Sequence, residues 1–180
     1  MRDLVLIPSF FRPEYLFLCL EHILKAAGGS EKEIWVSQDR KIEEPGDLSQ
    51  DIGNVFRVVS HFSHSCCVRY IERKRNPFNA NVYNVLELYK EAYVTPGVRF
   101  VYLIEDDVLI APDFFVWHEA VNERGDYFCS VGWHCSRNPG VTLSDHAADY
   151  IESALDFSSI GVCWRRANLA PVIKHARAEY

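Results

Sequence analysis

Three consecutive acids, Glu105-Asp106-Asp107, follow directly on the apolar run Arg99-Phe100-Val101-Tyr102-Leu103-Ile104. That run is rich in β-branched and aromatic residues and reads as a buried strand. After the acids come Val108-Leu109-Ile110-Ala111-Pro112-Asp113-Phe114-Phe115, a short apolar continuation and then a helix start with proline near its first turn. Carboxylates crowded at a strand end repel one another, and burying them is costly unless a cation shares the site. A hard divalent ion with oxygen ligands, shared with a diphosphate, meets that demand. For an isolated triplet a solvated acidic turn is the alternative; placement between two apolar segments favours the cation.

Other residues invite a chemical reading and an ordinary one side by side. Asp39 closes a second apolar run, Glu33-Ile34-Trp35-Val36-Ser37-Gln38, and is either a site acid or a turn residue. Arg12, in Pro8-Ser9-Phe10-Phe11-Arg12-Pro13, is either a site cation or an ion-pair partner at a helix start. Arg73-Lys74-Arg75-Asn76 could touch a diphosphate or an anionic acceptor, or form a solvated basic loop. Asn79 is a candidate helix cap, and with Asn81 it could also face a ligand. Trp133 and His134 could stack on a sugar, or Trp133 could be core. His118 reads as structural. His61, His64, Cys66 and Cys67 match no standard zinc spacing.

The elements that must position these residues follow from periodicity. Residues 4–7 form a first strand. Tyr15, Leu16, Cys19, Leu20, Ile23, Leu24 and Ala27 then recur at three and four, an amphipathic helix that Gly28-Gly29 stops. Residues 33–37 are a second strand, so the first 40 residues make a βαβ unit and a parallel pair. Residues 40–54 read as a polar loop, with short strand candidates at 56–59 and 68–71. A helix over 79–94 carries Val82, Val85, Leu86, Tyr89, Ala92 and Tyr93 on one face. After the acidic strand end come a helix over 113–123, a strand over 127–133, a polar loop over 135–150, an extended stretch at 157–164 and a helix at 168–177. Alternating strands and helices predict a three-layer α/β fold with a mainly parallel sheet. Ligands in such sheets bind beyond the carboxyl ends of the strands, so Asp39 and residues 105–107 are expected to face one crevice.

The chain has 180 residues, 48% hydrophobic and 24% charged, which suits one domain over 1–180. A net charge of -6 gives no general attraction to nucleic acid or anionic membrane, although Arg69, Arg73, Lys74 and Arg75 could form a local basic patch. No apolar stretch is long enough to span a bilayer. The amino-terminal residues read as a strand and not as a signal peptide, so a cytoplasmic location is expected. The six cysteines then read as free thiols, with Cys19 and Cys163 in the core.

Taken together, Pro8-Ser9-Phe10-Phe11-Arg12-Pro13, Val36-Ser37-Gln38-Asp39 and Ile104-Glu105-Asp106-Asp107-Val108-Leu109-Ile110-Ala111-Pro112-Asp113-Phe114-Phe115 resemble, in order and separation, the motifs of GT-A fold glycosyltransferases of the N-acetylglucosaminyltransferase I type. The likeness extends through Cys129-Ser130-Val131-Gly132-Trp133 and Ile160-Gly161-Val162-Cys163-Trp164. The resemblance implies a three-layer GT-A (Rossmann-like) domain that transfers a hexosyl or N-acetylhexosaminyl group from a nucleotide sugar, a UDP-sugar, to an acceptor hydroxyl with inversion. It implies that Asp107 of this DXD-like motif ligates Mn²⁺ (or Mg²⁺) at the diphosphate. It also places Asp106 at the ribose, Glu105 at the donor sugar, Asp39 at the uracil edge and Arg12 near the nucleotide. A divalent ion at a leaving diphosphate gives Lewis-acid assistance, and a carboxylate can accept the uracil N–H.

One departure from the family is evident. Inverting relatives carry a carboxylate general base well beyond the counterpart of residues 161–164. Here only 16 residues follow Trp164, with Glu179 the sole acid, so the catalytic base is unassigned. Asp145, Asp149, Glu152 and Asp156 are substitutes without a matching motif. Three readings compete: a shortened enzyme, a part of a longer or split protein whose second chain or domain supplies the rest, or a non-catalytic nucleotide-sugar-binding or assembly module. A nucleotidyltransferase is a further alternative, but such enzymes carry a Gly-rich loop after the first strand, and residues 8–13 contain no glycine. The acceptor is unknown.

Overall fold

From Asp3 to Ser9 every residue of the first strand, β1 (Arg2–Ser9), is buried, the mark of a strand covered on both faces. The computed structural model describes residues 1–40, 48–64, 66–74, 80–124, 128–131 and 161–179. After β1 come α1 (Pro13–Lys25), β2 (Glu33–Arg40), α2 (Leu48–Ser63), β3 (Val68–Lys74), α3 (Ala80–Val94), β4 (Val98–Leu103), α4 (Phe114–Arg124), β5 (Ser130–Val131), β6 (Val162–Arg165) and α5 (Leu169–Glu179). Among the described residues the strands form one six-stranded sheet in the order β3-β2-β1-β4-β6-β5. The first four are mutually parallel, and β6 and β5 add an antiparallel edge.

Strand alternation divides the core in two. Val5, Ile7, Ile34, Val36 and Tyr102 pack on one face against Leu16, Leu20 and Ile23 of α1, Val55 and Val59 of α2, and Phe115 of α4. Leu4, Leu6, Trp35, Val101 and Leu103 pack on the other against Leu88, Tyr89 and Ala92 of α3, and Leu169 and Ile173 of α5. Each large apolar side chain so buried contributes about 1.5–3 kcal/mol. The three-layer α/β arrangement, with its mainly parallel sheet, is the expected one.

Two elements differ from the sequence expectation. Residues 48–63 are a helix, not a loop followed by a strand at 56–59. Val55, Val59 and Phe62 are its buried residues, spaced by four and three, and that stripe outweighs the β-branched run. On α3 the buried face runs through Asn84, Leu88, Tyr89 and Ala92, while Val82 and Tyr93 are exposed. The helix is turned so that a polar residue, Asn84, faces the sheet. Residues 135–150 and 157–160, with 127, 132 and 133 of the strand expected at 127–133, lie outside the described residues, as do Asn79, Trp133, His134 and the candidate bases Asp145, Asp149, Glu152 and Asp156.

At the amino ends of the strands a buried ionic cluster ties four elements together. Lys32 donates to Asp3 (3.0 Å) and Glu119 (2.6 Å). Arg99 donates to the same two acids, and the Phe100 N–H also reaches Asp3. Burial works against the Asp3 carboxylate, but the hydrogen bonds from Arg99 and Lys32 prevail and hold its pKa below the ordinary value. Among the described residues no helix is long and apolar enough to cross a membrane.

Candidate active site

The strand order reverses direction at β1, whose two neighbours, β2 and β4, both run parallel to it. The loops leaving β1 and β4 therefore lie side by side at the carboxyl edge, where ligands of such sheets bind. Both chemically suggestive segments lie at that edge. The Ile104 N–H bonds to the Leu6 carbonyl (3.0 Å), and the chain then turns, with the Val108 N–H returning to the Glu105 carbonyl (3.0 Å). Asp106 and Asp107 occupy the two central positions of this turn, where aspartate is well suited.

The two acids have different surroundings. Asp106 is only 1% exposed; its Oδ2 accepts from Ser9 Oγ (2.8 Å) and its Oδ1 from the Arg12 guanidinium. Asp107 is open to solvent and accepts from Arg12 Nη1 at 2.6 Å. One guanidinium thus bridges both carboxylates. Burial pushes the Asp106 carboxyl above the usual range, against the Ser9 hydrogen bond and the Arg12 charge, and Asp107 adds to the rise. Desolvation opposes the charge on Arg12, yet Asp106 and Asp107 hold its pKa above the ordinary value. Glu105 is half-buried beside the turn, and its carbonyl accepts from Cys19 Sγ (3.7 Å).

Arg12 stands where local rules disfavour it. It is the N-cap of α1, followed by Pro13, and makes no side-chain cap. Ser, Thr, Asp and Asn are the usual caps, and a cation there faces the positive end of the helix dipole. The acids supply the compensation. The loop carrying Arg12 is fixed from the other side: the Gln38 amide donates to the Phe10 carbonyl (2.6 Å) and accepts from the Tyr70 hydroxyl.

Asp39 lies inside β2 and not in a turn; it is 6% exposed and sits in register with Arg73 of β3. By alternation it shares the α3 face with Ser37, and Ser37 Oγ and Asn84 Oδ1 are 2.5 Å apart. With β1 between them, β2 and β4 are about 10 Å apart, so Asp39 and the acidic turn lie at the same edge of the sheet, two strands apart. The basic loop reading fails for Arg73, which is half-buried and bonded to Ser37, Asn84 and Glu91. Arg69 stacks over Trp35 at 5.1 Å.

The structure therefore joins Arg12, Asp106 and Asp107 and brings in Ser9, Gln38 and Tyr70, which the sequence did not single out. A serine at a strand end opposite a buried acid is a usable signal; the Gln38 and Tyr70 contacts carry none. His118 is fully buried against Ser130 (Nδ1 to Oγ 2.6 Å), away from this edge. Among the described residues no group of three or more His, Cys, Asp or Glu is placed to hold a metal by protein ligands alone.

No protein-family model and no curated protein matches the chain. Solved structures do match its fold. S. aureus TarS, residues 1–349, superposes with a TM-score of 0.62 at 14% identity, over 98% of this chain and 49% of that one. The galactosyltransferase LgtC, in complex with donor and acceptor sugar analogues, gives 0.60 at 14%, over 98% and 63%. The 4-diphosphocytidyl-2C-methyl-D-erythritol synthase of Anaerococcus prevotii gives 0.61 at 10%, over 98% and 76%. The chain spans about half the length of the TarS structure. Its mixed α/β architecture is thus the Rossmann-like one of GT-A glycosyltransferases, a fold it also shares with the Anaerococcus synthase.

Proposed function

We propose that the chain binds a nucleotide sugar, a UDP-sugar, across the carboxyl edge of β2, β1 and β4, and that it serves a glycosyltransferase reaction. The observation that carries this reading is the Asp106-Asp107 turn at the carboxyl edge of β1 and β4, with Arg12 bridging both acids. Two neighbours support the ligand class: the TarS structures include complexes with UDP-GlcNAc and with UDP.

In this reading Asp39 accepts the uracil N–H, Asp106 lies at the ribose, Glu105 faces the donor sugar and Asp107 is the metal ligand. The donor set fits a hard cation. Asp107 offers a solvent-facing carboxylate, and a Mn²⁺ or Mg²⁺ site needs only one or two such groups when the diphosphate and water complete it. Such a cation would supply neutralisation of the leaving diphosphate. Ser9 and Gln38 keep the turn and the β1 loop in place, and Arg12 adds a positive charge at the same point. Inversion and transfer of a hexosyl or N-acetylhexosaminyl group belong to the proposal through the family resemblance alone, and the general base is unassigned.

Calorimetric titration with UDP, with Mn²⁺ present and then with EDTA, tests the reading on wild type and Asp107→Ala. Metal-supported binding that Asp107→Ala abolishes is expected. Equal binding by folded Asp107→Ala would remove the acidic turn from the site. The Anaerococcus synthase favours a second reading, nucleotidyl transfer. Residues 8–13 lack the glycine-rich phosphate loop that this chemistry uses. Preference for a nucleoside triphosphate over UDP in the same titration would select it.

A further inference from the structure

We infer that Arg12 is an exchangeable internal counter-ion of the acidic turn, handed from Asp106 and Asp107 to the diphosphate of the nucleotide when the metal site forms. The inference rests on the proposed donor site and names how that site is loaded.

Three observations carry it. First, the guanidinium already holds one oxygen of each acid: Arg12 Nη1 donates to Asp107 Oδ2 at 2.6 Å and Nη2 donates to Asp106 Oδ1. Asp107 cannot offer that oxygen to a cation without releasing the guanidinium, so Arg12 and the cation compete. Second, Arg12, Asp106 and Asp107 together carry a formal charge of -1. A divalent cation without an anion would set two cations against the same two carboxylates, whereas a diphosphate supplies an anion for the displaced guanidinium. Third, away from the acids the Arg12 guanidinium has only the Tyr15 ring beside it, 5.9 Å from its Cζ. Arg12 caps α1 without a side-chain cap bond, where the dipole repels it. That helix end instead favours an anion beside it, so a diphosphate placed there meets both the freed guanidinium and the helix. The Arg12 side chain is 39% exposed, whereas Asp106 is buried and held by Ser9. Release of Arg12 would also free Asp106 Oδ1 for a ribose hydroxyl.

Competition followed by handover predicts linkage. Metal alone binds weakly, and metal and nucleotide strengthen one another by the same factor, in the range of about 5- to 150-fold usual for coupled sites. The test measures Mn²⁺ binding by the loss of the free-ion EPR signal, with and without UDP, and UDP binding by calorimetry. Wild type, Arg12→Gln and Arg12→Lys are compared, each checked for folding by thermal melting. Arg12→Gln is expected to bind Mn²⁺ alone several-fold more tightly than wild type and UDP with Mn²⁺ more weakly, so that the coupling collapses; Arg12→Lys is expected to fall between. Opposite signs in the two arms cannot come from a residue that merely supports the fold. Unchanged or weaker Mn²⁺ binding by Arg12→Gln overturns the competition. Tighter Mn²⁺ binding with unchanged UDP binding overturns the handover. Wild type that binds Mn²⁺ but no UDP sinks the donor-site reading itself, and the handover with it.

Discussion

Asp3→Ala should destabilise the fold severely while leaving nucleotide binding intact. Asp3 is 7% exposed and accepts from Lys32 Nζ, Arg99 Nε, Arg99 Nη2 and the Phe100 N–H. Its removal leaves the Lys32 ammonium, itself 7% exposed, with Glu119 as its one remaining carboxylate in the cluster. Breaking a buried pair in this way costs about 3–5 kcal/mol. For 180 residues the unfolding entropy is about 0.4 kcal/mol per degree, so Tm should fall by about 10 °C. The sign of the pH dependence follows from the depressed pKa. The Asp3 contribution is fully present above the ordinary carboxylate value of 3.8 and is lost as pH falls through the lower folded value. Urea unfolding followed by the fluorescence of Trp35 and Trp164, both 2% exposed, would measure it at pH 7 and near pH 3. The gap between wild type and variant should be widest at neutral pH and narrow in acid. Asp3 and Ser9 are six positions apart along β1, about 20 Å, so UDP affinity well below Tm should not change. A loss under about 1 kcal/mol, or a gap that does not narrow in acid, would refute the assignment of this cluster as a structural anchor.

Other outcomes can be stated briefly. Burial holds the His118 pKa near 3, so the unfolded chain takes up a proton that the folded chain refuses, and stability should fall between about pH 6.5 and 3 by up to ~1.4 kcal/mol per pH unit; His118→Gln should flatten that slope, and NMR titration should show no His118 protonation above pH 4. Gly29→Ala would place a Cβ 1.7 Å from the Ile23 carbonyl oxygen and should cost several kcal/mol in urea unfolding, whereas Gly28→Ala, in open space at φ +77°, should cost only about 1–2 kcal/mol. Asp39→Asn, which can still accept one hydrogen bond but also donates, should weaken UDP and relax the preference for UDP over CDP; competition titration with both nucleotides would reveal an unchanged preference if Asp39 does not read the base.

The parts of this molecule that were legible in the sequence are those whose pattern is local. The β1-α1-β2 unit and β4 announce themselves by apolar runs and by Pro13 and Gly28, and the acids at the end of β4 stand out because charge abuts core. The helix at 48–63 was masked by Val55, Val58 and Val59, a β-branched run, and by Gly53 in its first turns, although the Val55/Val59/Phe62 spacing was there to read. The turned face of α3 could not be read, because Asn84 is buried only to meet Ser37 and Arg73, from two other elements. The same holds at the site. Ser9 and Asp106 are 97 positions apart, and Gln38 and Tyr70 are 32 apart, so their partnership exists only once the strands are ordered. That Arg12 would find its partners in the acidic motif itself follows from strand order, not from any feature of either segment.

The pairing of β1 with β4 also bears on how the molecule acquires its function. Leu4 lies in register with Val101, so the carboxyl edge is completed through a parallel pairing that must fold in nearly a hundred intervening residues. Such pairings form slowly, because the closure entropy precedes any gain from contact. Until β1 and β4 meet, Arg12 and the acidic turn belong to different parts of an incomplete sheet, and neither can hold a nucleotide. Under the proposed function, ligand capture therefore waits on the β1–β4 pairing, and the rate at which refolding protein regains UDP binding should track that pairing and lag behind the formation of the helices.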